Sequence, residues 1–315
     1  MNQEKDNTIK AALGEKLKSD TLLRDITTIG VGGLVDYYFE AENIDELVDA
    51  VTIAYKNDIP ILVLGWGSNV VASDYGFSGL VVKNKSTNLV FSEEKGQVIA
   101  DSGISIGKLL NTAASNDLGG LEFMAGLPGT LGGAINNNAG AKDYAIGDFV
   151  KSVTVLEEKG GEIEVTRHNS KWMEFAYRTS RLKTEYKNDD KFKPVILTAR
   201  IQLAHKRKDE ILKSLKNSLE ERRDKQPLGE RSAGSFFKNT GKIKEQAAGY
   251  LLDKSGAKKL KEGGAQVSKK HANFVINKDK ATARDIRSLA DAMRNLVKNE
   301  YNQELEEEVE YIGKW

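Results

Sequence analysis

Apolar and polar positions alternate so as to divide this chain into strands and helices of modest length. Residues 43–56 read as a helix: Asn43 stands at its cap, Glu46 follows three residues on, and Leu47, Val51 and Tyr55 share one face. Residues 60–64 (PILVL) form an apolar run of strand length, expected to be a short buried strand. Residues 79–83 (GLVVK) and 97–100 predict two more strands, and Ser105 opens a short helix through Leu109 and Leu110. Residues 149–156 and 162–166 flank Lys159-Gly160-Gly161 and predict a hairpin. Residues 194–204 (PVILTARIQLA) are a further apolar strand. Residues 205–225 are densely charged but keep Ile211, Leu215 and Leu219 in helical register, until Gln226-Pro227-Leu228-Gly229 breaks the pattern. Thr282 and Asp285 suit the start of a helix running to Asn299, with Ile286, Leu289, Met293 and Leu296 as its buried stripe. Residues 304–312 predict a final strand. A boundary near Ala204 divides the chain into an αβ domain over residues 18–204 and a smaller one over residues 205–315. Two domains also suit a length of 315 residues.

Composition narrows the chemistry. Lys and Arg number 47 against 46 Asp and Glu, a net charge of +1, which argues against a nucleic-acid coat. Cysteine is absent, so disulfides, cysteine-ligated metal and thiol nucleophiles are excluded. Only His168, His205 and His271 represent histidine, and no metal site is expected. The N-terminus lacks a signal-type apolar run, and nothing approaches the ~20 apolar residues of a membrane span. A cytoplasmic monomer with no nucleic-acid or membrane partner is expected.

Glycine is the outlier, at 29 residues against 4 prolines. Gly65-Trp66-Gly67-Ser68-Asn69 follows a strand directly and suggests amide N–H groups converging on a phosphate. It is not a dinucleotide fingerprint, because Val70 stands where the third glycine belongs, nor a P-loop, because no Gly-Lys-Ser/Thr follows. A plain β-turn is the competing reading. Residues 119–140 (GGLEFMAGLPGTLGGAINNNAG) carry seven glycines in 22 positions. A loop this bare loses much entropy on ordering unless something packs on its backbone, and a flat cofactor suits that place. Close helix–strand packing is the alternative. Gly30-Val31-Gly32-Gly33 reads no further than a turn.

These motifs, taken in order, resemble the UDP-N-acetylenolpyruvoylglucosamine reductases. The resemblance rests on Thr27-Thr28 with Gly32-Gly33, on residues 65–69, and on Gly126-Leu-Pro128-Gly129-Thr130-Leu-Gly132-Gly133-Ala134 followed by Asn138-Ala139-Gly140-Ala141. It continues through Tyr177-Arg178-Thr-Ser180, Ser232-Ala-Gly234-Ser235-Phe-Phe-Lys238-Asn239, Gly263-Gly264-Ala265-Gln266, Lys270-His271-Ala272 and Leu305-Glu-Glu-Glu308-Val309. Each motif is weak alone; eight in order over residues 23–313 are specific. The resemblance implies an α+β fold: a two-part FAD-binding domain of the vanillyl-alcohol-oxidase type, followed by a smaller αβ substrate domain, in the family's shorter form.

It further implies noncovalent FAD, NADPH as hydride donor, and reduction of the enolpyruvyl ether of UDP-N-acetylglucosamine-enolpyruvate to UDP-N-acetylmuramate for peptidoglycan. The cofactor residues implied are Thr28, Gly65, Gly67, Ser68, Asn69, Gly126, Pro128, Gly129, Thr130, Gly132, Gly133, Asn138, Ala139 and Gly140. Tyr177, Lys238, Asn239 and Gln266 are implied for substrate. Arg178 is implied to grip the substrate carboxylate, Ser235 to donate the proton, and Glu308 to polarise the carboxylate or orient Arg178. Without the resemblance, Ser235 is one more hydroxyl in a Gly-Ser turn and Arg178 an ion-pair residue. Period-2 alternation cannot choose among Glu306, Glu308 and Glu310. His271 reads as structural, and Lys183 as a partner for a nearby acid. Trp66, Asn136, Asn137 and Thr240 depart from the family pattern. Another FAD oxidoreductase of the same fold, or a nucleotide-sugar-binding protein without flavin, therefore stays open.

Overall fold

A computed structural model describes residues 3–141, 143–186 and 192–315. The residues pack as two units that are not contiguous in sequence. The first comprises Met1–Leu17, Tyr38–Gly65 and Leu80–Glu220; the second comprises Lys18–Tyr37, Trp66–Gly79 and Glu221–Trp315.

In the first unit an antiparallel sheet is ordered Glu162–Asn169, Val150–Lys159, Val195–Gln202, Gln97–Asp101, Leu89–Ser92. The hairpin forms as expected, with Lys159 opposite Glu162 and two glycines between them. Gly160 and Gly161 have φ of +62° and +88°, the backbone of a two-residue turn whose twist matches the flanking strands. The helix Ile44–Lys56 starts where its cap predicts: the Asn43 side chain accepts from the Glu46 N–H at 2.9 Å. Ser105 caps Ile106–Ser115 in the same way. Ile61–Leu64 pairs in parallel with Phe77–Asn84, Leu64 standing opposite Lys83. The former strand is half-buried rather than buried, Leu64 excepted. Leu109, Leu118, Leu121, Met124, Leu131 and Ile135 are central to this unit's core.

In the second unit Ser232–Ser235, Phe274–Asn277, Ala265–Val267 and Lys261–Glu262 form an antiparallel sheet. The helix Ala283–Tyr301 buries Ile286, Leu289, Met293 and Val297 into a core that includes Phe236 and Phe237, whereas Leu296, expected in the buried stripe, is only half-buried. Thr282 and Asp285 form a reciprocal capping box at its start, and Asn302, at φ +52°, ends it. Thr282→Ala is expected to cost about 1 kcal/mol in chemical denaturation, with the denaturant slope unchanged.

Three further expectations are corrected. The charged helix begins at Lys208, because Ala204–His205 pairs with Leu118–Gly119. The final strand is only Glu310–Ile312, paired in parallel with Val70–Ala72. Residues 306–308 instead run beside residues 236–238, where Lys238 N–H donates to Glu306 O and Glu308 N–H to Phe236 O, both at 2.8 Å. Residues 119–140 are not one loop, since Leu131–Asn136 is a helix despite Gly132 and Gly133. Tertiary bonds hold that helix: Leu131 N–H reaches Ile104 O and Gly132 N–H reaches Ser102 O.

Candidate active site

The glycine-rich stretch of the first unit does two kinds of work. A Cβ on Gly132 would stand 2.9 Å from Ser102 Cβ, and one on Gly140 2.4 Å from Tyr144 O, so these glycines permit close packing. Gly133 is different. It is exposed, and a Cβ there would meet only Thr130 Oγ1, at 3.6 Å. Gly126 and Pro128 are also exposed, and Gly126 has φ +76°. Gly126, Pro128 and Gly133 are thus the exposed points of this stretch, and Gly129, Thr130 and Leu131 between them are buried. Thr130 is 3% exposed and caps the helix, accepting from Gly133 N–H. Gly65 is brought against this stretch: a Cβ on it would lie 2.3 Å from Thr130 Oγ1. The structure thus joins two motifs that lie 65 positions apart in the sequence. Lys83, opposite Leu64, is a half-buried charge that the apolar run conceals; burial pushes its ammonium down to about 8, against the pull of Glu40.

Tyr177 and Arg178 sit at the tip of a tight turn, where Ala176 and Thr179 exchange two backbone hydrogen bonds of 3.2 Å. Arg178 has φ +54°, a left-handed backbone that a residue with a Cβ seldom adopts. Its guanidinium carbon lies 5.6 Å from the Tyr177 ring centre, and Tyr177 is exposed. Asn138, 7% exposed, reaches this turn: its Nδ2 donates to Ala176 O at 2.8 Å. Ala139 and Gly140 follow, and the Ala139 carbonyl accepts from Ile146 N–H.

The second unit contains Thr28, Gly67, Ser68, Asn69, Ser235, Lys238, Asn239, Gln266 and Glu308. Ser232 pairs with Ile276 and Ser235 with Phe274, so three steps on one strand face two on the other. That is a β-bulge, a device that re-aims a side chain. Gly234 has φ +79°, and a Cβ there would meet nothing within 4 Å. Glycine is required at that position by backbone conformation, not by space.

The segment after Ser235 is held firmly. Phe236 N–H donates to Asn273 O at 2.8 Å, Phe237 N–H to Asn273 Oδ1 at 2.9 Å, and Asn273 Nδ2 to Phe237 O at 2.8 Å. Sequence reasoning missed Asn273. Its only signal was a lone polar residue between Ala272 and Phe274, both buried. Asn273 N–H in turn donates to His271 Nδ1 at 3.2 Å, so the imidazole is neutral with its proton on Nε2. Burial, reinforced by Lys258, lowers the affinity of His271 for a second proton, in keeping with a structural role.

Thr28 and Asn69 bind the C-terminal segments. Thr28 Oγ1 donates to Ser232 O at 2.7 Å. Asn69 Nδ2 donates to Glu308 O at 3.0 Å, and Asn69 O accepts from Glu310 N–H at 2.9 Å. Glu308 is half-buried, whereas Glu306 is exposed and pairs with Lys238 at 2.6 Å. Glu307 accepts from Tyr311 OH at 2.8 Å and pairs with Arg294 at 2.7 Å. Asn239 Oδ1 accepts from Ala248 N–H at the start of Ala248–Lys254, and Gln266 lies half-buried opposite Ile276. Among the described residues there is no cluster of His, Cys, Asp and Glu able to hold a metal ion, and no helix long and apolar enough to cross a membrane.

Comparison with known proteins matches residues 226–312 to the UDP-N-acetylenolpyruvoylglucosamine reductase C-terminal domain and residues 35–166 to an FAD-binding domain. The reductase of that name from Clostridium tetani is 36% identical over 99% of this chain and 98% of its own length. That from Carboxydothermus hydrogenoformans is 37% identical over 97% of this chain and 98% of its own length. The crystal structure of UDP-N-acetylenolpyruvylglucosamine reductase from Thermus caldophilus superposes with a TM-score of 0.74 at 31% identity, covering 94% of this chain and 99% of that one.

Proposed function

The chain belongs to the UDP-N-acetylenolpyruvoylglucosamine reductases, and from that membership we infer how its residues divide the work. It uses NADPH to reduce the enolpyruvyl ether of UDP-N-acetylglucosamine-enolpyruvate to UDP-N-acetylmuramate, a peptidoglycan precursor. Noncovalently bound FAD supplies the hydride chemistry that no side chain can. The residues present suit that group: Gly126 and Gly133 expose main chain with no side chain over it, a surface that a flat ring or a diphosphate would fit. The cofactor residues are assigned as Thr28, Gly65, Gly67, Ser68, Asn69, Gly126, Pro128, Gly129, Thr130, Gly132, Gly133, Ala139 and Gly140, and Asn138, of the same motif, is assigned to the turn whose Ala176 carbonyl it bonds. In chain order, we assign residues 18–204 to cofactor and 205–315 to substrate binding. Tyr177, Lys238, Asn239 and Gln266 are assigned to the substrate. The same reading makes the protein a cytoplasmic monomer acting in cell-wall growth, cell shape and division.

Hydride addition to the β-carbon leaves negative charge on the α-carbon, spread into the carboxylate as in an enolate. Arg178 grips that carboxylate, and its hold tightens as charge develops. Ser235 gives its proton to the α-carbon. A serine hydroxyl is a weak acid, so it serves only when aimed closely by a rigid frame. Glu308 polarises the carboxylate.

The observation that supports this division most directly is the bulge at Gly234. It re-aims Ser235 on a strand whose next two residues are clamped by Asn273 and bonded to the Glu308 segment. A visible spectrum tests the reading at its root. The purified protein should be yellow, bleach with NADPH, and regain colour when the UDP-enolpyruvyl substrate is added. Tight binding of the nucleotide sugar by a colourless protein that cannot be reconstituted with FAD would favour a binding protein instead.

A further inference from the structure

The three consecutive asparagines at 136–138 hold the turn that carries Arg178 and the short helix Arg181–Thr184 that follows it. Ser180 Oγ donates to Asn136 O at 2.7 Å, and Lys183 Nζ to Asn137 Oδ1 at 2.7 Å. Asn138 bonds in two directions. Its Nδ2 donates to Ala176 O at 2.8 Å, and its Oδ1 accepts from Gly147 N–H at 3.0 Å. Ala176 O also accepts from Thr179 N–H at 3.2 Å, so both lone pairs of this carbonyl are used in fixing the turn. The turn needs holding, because Arg178 at its tip has φ +54°, a conformation that persists only where the surroundings over-determine it. Asn138 is itself left-handed, at φ +45°, which an asparagine tolerates better than most residues.

We propose that Asn138, a member of the glycine-rich cofactor motif, is a positioning residue for Arg178. Its amide fixes the carbonyl of Ala176 and with it the direction in which the guanidinium meets the substrate carboxylate. The proposal rests on the assignment of Arg178 to that carboxylate. It implies that Asn138 reaches the chemistry through the turn, and that its loss leaves the exchange with NADPH intact.

The test uses the holoenzyme and three variants. Asn138→Asp keeps the size and the acceptor toward Gly147 but sets an oxygen against Ala176 O. Asn138→Gly keeps the left-handed backbone and deletes both bonds. Arg178→Lys keeps the charge and loses the fork. Both Asn138 variants are expected to slow flavin reoxidation by the UDP-enolpyruvyl substrate about 10–100-fold and to raise its KM, the usual scale for a misplaced binding group. Flavin reduction by NADPH and FAD retention should be unchanged. In the Arg178→Lys background Asn138→Asp should add almost nothing, because the geometry it protects is already gone. Apart from activity, amide hydrogen exchange of residues 176–179 should quicken in Asn138→Gly apoprotein.

Equal slowing of both half-reactions, or loss of FAD, would place Asn138 on the cofactor and overturn the proposal. So would full multiplication of the two losses in the double variant. If Arg178→Lys is impaired while Asn138→Asp reoxidises normally, the proposal fails and the Arg178 assignment stands. Normal reoxidation by Arg178→Lys overturns both.

Discussion

Ser235→Ala is expected to slow flavin reoxidation by the UDP-enolpyruvyl substrate about 10²–10⁴-fold, the range lost when a positioned general acid is removed. Flavin reduction by NADPH should proceed at the wild-type rate. The asymmetry follows from where the proton is needed. Only the second half-reaction leaves charge on a carbon that must be protonated, so only that half depends on the hydroxyl. The substitution should not disturb the frame. Ser235 is half-buried, its pairing with Phe274 is made by main chain, and Gly234 keeps its φ of +79°. The Asn273 clamp on Phe236 and Phe237 also survives, since none of its bonds uses the Ser235 side chain. Stopped-flow absorbance separates the halves. Wild-type reoxidation in Ser235→Ala would sink the assignment of the acid. A second signature accompanies it: in deuterated water the product should carry one deuterium at the α-carbon, delivered from an exchangeable hydroxyl.

The features legible in the sequence are those whose causes are local. Asn43 announces a cap because its partner, the Glu46 N–H, lies three residues away. Thr282 with Asp285, and Gly160 with Gly161 between two strands, carry their geometry in a few adjacent residues. The glycine motifs are legible as motifs, because bare backbone stands out in composition. What each glycine does is not. Gly132 meets Ser102 and Gly65 meets Thr130, contacts that no window of sequence contains. Residues 131–136 read as loop because glycine is a poor helix former, and the bonds from Leu131 and Gly132 to Ile104 and Ser102 override that preference. The period-2 reading of residues 304–312 misleads for a related reason. Residues 306–308 bond through their backbone to residues 236–238, and only Glu310–Ile312 joins Val70–Ala72. The bulge before Ser235 is invisible to a period-2 reading, which has no place for a three-against-two register. Asn273 and Asn138 act on partners 36 and 38 residues away, so neither leaves a local trace of what it holds.

Arg178→Gly is expected to cut kcat/KM for the UDP-enolpyruvyl substrate about 10²–10³-fold, comparable to removing one donor from a developing oxyanion. Its unfolding midpoint, in contrast, should not fall. Most arginine deletions at a bonded position cost stability, so the pairing of these outcomes is specific. At φ +54° a residue with a Cβ carries roughly 1–2 kcal/mol of backbone strain that glycine relieves. The freer unfolded chain of glycine offsets part of this, roughly 0.4–1 kcal/mol. The glycine variant also forgoes the stacking of the guanidinium on the exposed Tyr177 ring, worth roughly 0.5–1 kcal/mol. These terms nearly cancel, which leaves activity as the quantity that changes. Arg178→Lys should lie between wild type and glycine, because it keeps the charge but loses the planar fork that holds two carboxylate oxygens at once. Thermal or urea unfolding beside stopped-flow reoxidation reads both arms. A glycine variant that loses several kcal/mol of stability would mean that Arg178 holds the fold together. One that reoxidises normally would mean that the carboxylate is gripped elsewhere. If both arms come out as expected, the left-handed residue at the tip of the turn is strain retained for binding the substrate, and the bonds from residues 136–138 keep that strain from relaxing.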